Sequence, residues 1–257
     1  MLLNYIISGF CVGTLVGMTG VGGGSLMTPL LTLLFGVPPS VAVGTDLAFA
    51  AITKSAGTFT HRLRDTVRWD VVKLLCIGAL PAAVLATFAL KHFGAVGKEI
   101  GQIIRYSIAG SVLLTVVALL FKSKMLGWLN GHPERQLYGK SLATATIACG
   151  ALLGTLVTIS SIGAGAIGAT LLVMLYPRMS SAQIAGTDIA YAVPLTAIAA
   201  FGHWYLGSIN WPLLAMLLLG SVPGITLGSW FARAIPERVL RGVLATTLTA
   251  VAAKLIY

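Results

Sequence analysis

Gly44-Thr45-Asp46-Leu47-Ala48-Phe49-Ala50 occurs a second time as Gly186-Thr187-Asp188-Ile189-Ala190-Tyr191-Ala192. The two acids stand 142 positions apart, and the same offset relates Phe59 and His61 to Phe201 and His203, Trp69 to Trp211, Gly78 to Gly220 and Pro81 to Pro223. In an apolar chain, matches of Gly, Ala and Leu arise by chance. Matches of Asp, His, Trp and Pro at one spacing do not. The chain therefore reads as two copies of one unit, each with a glycine-rich break upstream of its motif: Gly20, Gly22, Gly23 and Gly24 in the first, Gly163 and Gly165 in the second.

Composition sets the solvent for this unit. Hydrophobic residues make up 57% and charged residues 9% of 257 residues, whereas soluble domains carry roughly a quarter charged residues. Several apolar runs approach the ~20 helical residues that span a hydrocarbon core. The expected class is an all-α polytopic membrane protein, and continuous runs without short alternating strands exclude a transmembrane barrel. The net charge of +10 sits in short loops, which is the pattern of membrane topology and not of a nucleic-acid groove. Cys11, Cys76 and Cys149 lie in apolar runs without metal-ligand spacing and read as buried, inert thiols. The amino-terminal run has no basic region before it and recurs in the second half, so it reads as structure and not as a signal peptide.

Each half has five hydrophobic segments. In the first, short arms at 2–17 and 25–36 flank the break at 18–24, and longer spans follow at about 40–60, 70–90 and 103–121. An arm of this length makes ~21–24 Å of helix, less than the ~30 Å core. The second half repeats the order with arms at 141–157 and 166–176 and spans at about 181–202, 211–232 and 239–256. The division is thus a first transmembrane repeat, 1–121, a cytoplasmic linker, 122–140, and a second repeat, 141–257. The 61–68 loop holds three arginines and its counterpart, 204–210, holds no charge. With cationic loops inside, equivalent loops face opposite sides, and an odd number of crossings per copy gives two inverted-topology repeats. The linker and the basic 233–241 turn then lie inside and both termini outside.

The breaks and the acids are the candidate functional residues. Gly22, Gly23, Gly24 and Ser25 open the second arm as a helix N-terminus, where free N–H groups and the helix dipole favour an anion. Gly163 and Gly165 open its counterpart. Irregular backbone at membrane depth occurs where it is buried in protein or lines a cavity; close helix packing is the alternative. Asp46 and Asp188 fit a proton or cation path, or helix-start acids satisfied by Thr45 and Thr187. Lys54, with Thr196 as its counterpart, would attract an anion, pair with Asp188 across the symmetry axis, or snorkel towards the interface. His61 and His203 read as interfacial residues capping helix ends, and Trp69 and Trp211 as an aromatic belt. The sequence has no phosphate-loop lysine motif, nucleophile elbow, metal-ligand cluster or redox cysteine pair, so no enzyme and no bound cofactor is expected.

The run Gly13-x3-Gly17-x2-Gly20-x-Gly22-Gly23-Gly24, followed by Pro29-Leu30-Leu31, Pro38-Pro39 and Ala42-Val43-Gly44-Thr45, resembles the sulfite exporter TauE/SafE family. Ala185-Gly186-Thr187 and the two histidines fit it as well, and the similarity covers essentially the whole chain. Asp46 and Asp188 stand where that family typically has Ser or another small residue, and Ala164 and Ala166 interrupt the second break. The resemblance implies a secondary transporter, usually an exporter, of sulfite, thiosulfate or an organosulfonate. Combined with the residues above, this gives an anion held by the N–H groups at Gly22, Gly23, Gly24, Ser25, Gly163 and Gly165. Thr45 and Thr187 would supply hydroxyls, Lys54 attraction, and Asp46 and Asp188 a site for coupling H⁺ or Na⁺. A passive anion channel and a scaffold without transport are the alternatives. The expected location is the bacterial inner membrane with both termini periplasmic. The expected partners are the anion and the lipid bilayer, with no nucleic acid; a homodimer is left open.

Overall fold

The computed structural model describes residues 2–19, 24–63, 65–92, 98–130, 136–231, 242, 246, 248–250 and 253–254. Among them the regular structure is helical: α1 (Leu2–Thr19), α2 (Gly24–Leu34), α3 (Pro39–Leu63), α4 (Trp69–His92), α5 (Lys98–Asn130), α6 (Gly139–Ser160), α7 (Ala166–Leu175), α8 (Ser181–Tyr205) and α9 (Trp211–Phe231). Five helical stretches, within α4, α5, α6, α8 and α9, are long and apolar enough to cross a membrane. Local signals set several boundaries. Pro39 at the first position of α3 needs no N–H partner there, and Ser180 with Gln183 closes a capping box at the start of α8. Helix α5 extends through 122–130, part of the stretch expected as linker, because Lys122 and Lys124 are good helix formers once the chain leaves the apolar layer. The turn at 233–241 and most of the expected last span lie outside the described residues.

Burial is arranged for lipid. Large apolar side chains such as Ile7, Phe10, Phe59, Leu85, Phe88, Phe201 and Leu219 face outward, while Thr28, Asp46, Lys54, Ser160, Thr187 and Asp188 are buried. In a bilayer, exposed apolar surface has no water to avoid. Trp69 and Trp211 open α4 and α9 and are both exposed. Cys11 is exposed on α1 and Cys76 and Cys149 are half-buried, which corrects the expectation of buried thiols. A free Cys is apolar enough to sit at a lipid-facing surface.

The halves interlock. The most extensive packing joins α1 to α9 and α4 to α6, that is, the first helix of each half to the fourth of the other. Both crossings run parallel and are lined by glycines at equivalent places. A Cβ on Gly78 would fall on the Ile147 carbonyl and one on Gly220 on the Ile6 carbonyl. Gly9 and Gly13 lie against Leu217 and Ser221 as Gly150 and Gly154 lie against Leu75 and Ala79. At the centre, α3 and α8 run antiparallel: Gly44 lies against His203 and Ser208, and Gly186 against His61 and Thr66.

The short arms fold back. Thr146 near the start of α6 shares a 2.8 Å hydrogen bond with Tyr176 just past α7. Tyr5 on α1 stacks on Phe35 just past α2, with ring centroids 4.8 Å apart. Each pair of arms thus returns to the end it started from, a point that hydropathy alone leaves open.

Replacing Gly78 or Gly220 by Val should separate a backbone crossing and lower stability by ~1–3 kcal/mol or more. Gly110, with open space around its Cα, serves as the comparison: Gly110→Ala should leave the melting temperature in detergent unchanged. Equal melting of all three variants would contradict the crossing geometry.

Candidate functional site

In each motif, glycine and threonine do the same two jobs. A Cβ on Gly44 would fall on the Ser208 carbonyl, and one on Gly186 on Thr66. Thr45 Oγ1 accepts the Asn210 N–H at 3.0 Å, and Thr187 Oγ1 accepts the Arg68 N–H at 3.0 Å. Asn210 and Arg68 are themselves equivalent, each preceding the tryptophan that opens α9 or α4. Each half therefore uses its Gly-Thr pair to seat a loop of the other half. Both threonine hydroxyls keep a proton to donate.

The acids lie one residue further in and are both buried. Asp46 Oδ2 accepts a 2.6 Å hydrogen bond from Thr28 Oγ1 on α2. Its Oδ1 has no hydrogen-bond partner among the described residues. Ser161 lies beside it, also buried, its hydroxyl without a well-formed hydrogen bond. Asp188 lies against α7, where a Cβ on Gly168 would meet its carboxylate and, at 2.9 Å, the Tyr191 hydroxyl. The two acids are equivalent in sequence but not in surroundings.

The break between α6 and α7 is fully described. Ser161 caps α6 in the left-handed region (φ 59°), with its N–H on the Val157 carbonyl. Gly163 and Gly165 have φ of 142° and 132°, a region that side chains other than hydrogen rarely adopt. Gly165 is the N-cap of α7, and no side chain caps this end. The first turn of a helix has no intrahelical acceptors for its N–H groups; that of Gly168 is taken by the Gly163 carbonyl at 2.9 Å, which leaves those of Ala166 and Ile167 at the break. Lys54, on α3 of the other half, reaches the break and donates to the Ala164 carbonyl at 3.0 Å. It is 7% exposed, so it is held inside and does not snorkel. Its ammonium is in electrostatic range of both Asp188 and Asp46.

Asp46, Lys54, Ser161, Gly163 and Gly165 thus gather around one break, with Asp188 against the following helix. Gly24 opens α2, while Gly22, Gly23 and the side chain of Ser25 lie outside the described residues. One participant lacked a sequence signal strong enough to single it out. Thr28 is one threonine among many, although Thr170 is its counterpart at the repeat offset. His203 is buried, not interfacial as expected, and its Nε2–H donates to the Thr158 carbonyl at 2.9 Å. It ties α8 to α6 just before the break. Among the described residues no group of His, Cys, Asp and Glu could hold a metal ion.

A family model described as sulfite exporter TauE/SafE matches residues 5–255. A probable membrane transporter protein of Bacillus subtilis (strain 168), YjnA, is 36% identical over 256 residues, covering 100% of both chains. A second from the same organism, YdhB, is 28% identical over 245 residues, 93% of each chain. The probable membrane transporter protein MJ0441 of Methanocaldococcus jannaschii is 26% identical over 259 residues, 95% of this chain and 91% of its own. No solved structure matches this chain significantly.

Thr45→Val and Thr187→Val should each leave a loop N–H without its acceptor and destabilise the protein by ~1–3 kcal/mol. The equivalence of the two bonds predicts similar losses. Thermal unfolding of the two variants in detergent checks this, and a loss confined to one of them would contradict the matched roles.

Proposed function

The chain belongs to the sulfite exporter TauE/SafE family, and from that premise we propose that it is a secondary transporter of a small sulfur-containing anion. Sulfite, thiosulfate and organosulfonates are the candidate substrates, and export is the direction proposed. The observation that carries this reading is the start of α7 at Gly163–Gly165, which no side chain caps and which Lys54 reaches from the other half of the molecule. Oriented N–H groups and one ammonium suit an oxyanion. They also let it leave, since among the described residues no buried arginine fork grips it.

The halves act in this proposal as inverted-topology repeats. The antiparallel crossing of α3 on α8 supports that, as does the return of each pair of arms to its starting end. With the apolar segment expected at 239–256 taken as a crossing, each half has three, an odd number, which turns the second copy over. The site lies between the halves, and rocking of one against the other would expose it alternately to each side. Asp46 and Asp188 take the coupling H⁺ or Na⁺. An anion entering a site beside two carboxylates and one ammonium adds to an excess of negative charge. Desolvated charge of one sign is costly, so a cation entering with the anion relieves it.

Flux of sulfite, thiosulfate and sulfoacetate into proteoliposomes, with pH and Na⁺ gradients applied separately, tests this. Gradient-driven, saturable flux is expected for at least one substrate. Flux without saturation and indifferent to both gradients would mean a passive channel. Gly165→Leu, which forces a side chain into a backbone conformation costing ~1–3 kcal/mol, should cut flux roughly tenfold or more with the protein still inserted. Asp46→Asn and Asp188→Asn should lose gradient-driven accumulation. Coupled transport intact in both would defeat the assignment of the acids.

A further inference from the structure

A cavity of about 160 Å³ opens at the end of the bundle where the 65–68 loop, residues 136–138 and the 176–180 loop meet. It is distant in purpose from the break, and its charges are basic. Arg68 is held there by two bonds to Asp70, Nε to Oδ1 at 2.9 Å and Nη2 to Oδ2 at 2.6 Å. That pairing fixes the guanidinium plane and compensates its charge. Arg178, across the cavity and exposed, has no ion pair; Arg68–Asp70 is the one found among the described residues. Gln183 adds an amide, and Leu137 and Tyr138 form an apolar wall that is itself exposed.

The repeat offers an internal control. Positions equivalent to Arg68 and Gln183 are Asn210 and Val41, and the loop matching 176–180 is Leu34-Phe35-Gly36-Val37-Pro38, without charge. A feature needed at both ends of a symmetric transport path would be duplicated. This one is not, so it serves a ligand met at one side only. The residues that line it come from three separate segments, which a set of loop charges serving topology alone would not require.

We propose that this cavity binds a phosphate ester of net negative charge. Arg178 supplies the uncompensated charge, the fixed edge of Arg68 orients the oxygens, and Leu137 and Tyr138 cover the carbon skeleton. Two sources share that chemistry: an anionic phospholipid headgroup at the membrane surface and a soluble phosphate ester. The ligand has a route to the transport site, because the N–H of Arg68 is bonded to Thr187, next to Asp188. Occupancy steadies this loop against α8.

Binding is testable without any transport measurement. The purified full chain in detergent is titrated with phosphatidylglycerol, phosphatidylcholine or glycerol 3-phosphate, and thermal stability is followed. Phosphatidylglycerol should stabilise and phosphatidylcholine should not. Arg178→Gln should weaken the effect about fivefold, the loss expected for one basic residue near an anionic surface. Lys91→Gln removes a cation bonded to Tyr205 at the other end of α4 and should leave the effect intact. Stabilisation by glycerol 3-phosphate with the same Arg178 dependence assigns the soluble source; stabilisation by phosphatidylglycerol alone assigns the lipid. Equal action of the two lipids, no response to any probe, or equal sensitivity to Arg178 and Lys91 would overturn the site.

Discussion

A backbone N–H that enters a nonpolar layer needs an acceptor, and two of them in this molecule find theirs in the opposite half. The Asn210 N–H reaches Thr45 and the Arg68 N–H reaches Thr187. Those two bonds hold the loops that launch α9 and α4, and those helices carry the two largest crossings, onto α1 and α6. Glycines let the backbones come close enough for this to work. In lipid, where apolar burial between helices gains little, close packing and hydrogen bonds carry the association. Each half depends on the other for its order.

The same interlock explains why broken helices are tolerated. The turn at Ser161–Gly165 interrupts the helical hydrogen-bond ladder, which is permitted at membrane depth only inside protein or around a cavity. Here α3 covers it from the other half, Lys54 occupies the Ala164 carbonyl, and His203 secures the Thr158 carbonyl just before the break. The polar groups are therefore concentrated along the seam between halves, and the outer faces are left apolar.

Symmetry in the framework goes with asymmetry in the polar groups. Thr28 donates to Asp46, while its counterpart Thr170 turns back onto the Ala166 carbonyl. Lys54 has Thr196 as its counterpart, and Asp188 lies beside Tyr191 where the first half has Phe49. The duplicated scaffold gives both halves one fold. Single substitutions at its centre then give the two carboxylates different neighbours.

Much of this was legible in the chain. The 142-residue offset marked the equivalent helices, α3 and α8 begin at positions related by it, and the glycine-rich stretches marked breaks close to where α6 ends and α7 begins. Hydropathy is a property of residue order, so the all-helical membrane class and the apolar outer surfaces of the described helices could be read directly. The fold-back of the arms could not, because an apolar segment of that length suits either a crossing or a return. Nor could the division of labour in the Gly-Thr-Asp motif. Only the tertiary structure showed its glycine and threonine to be engaged between the halves, with its acid left beside the break. That outcome depends on which backbone groups meet across contacts between residues 119 and 165 positions apart, and no local pattern encodes such a meeting.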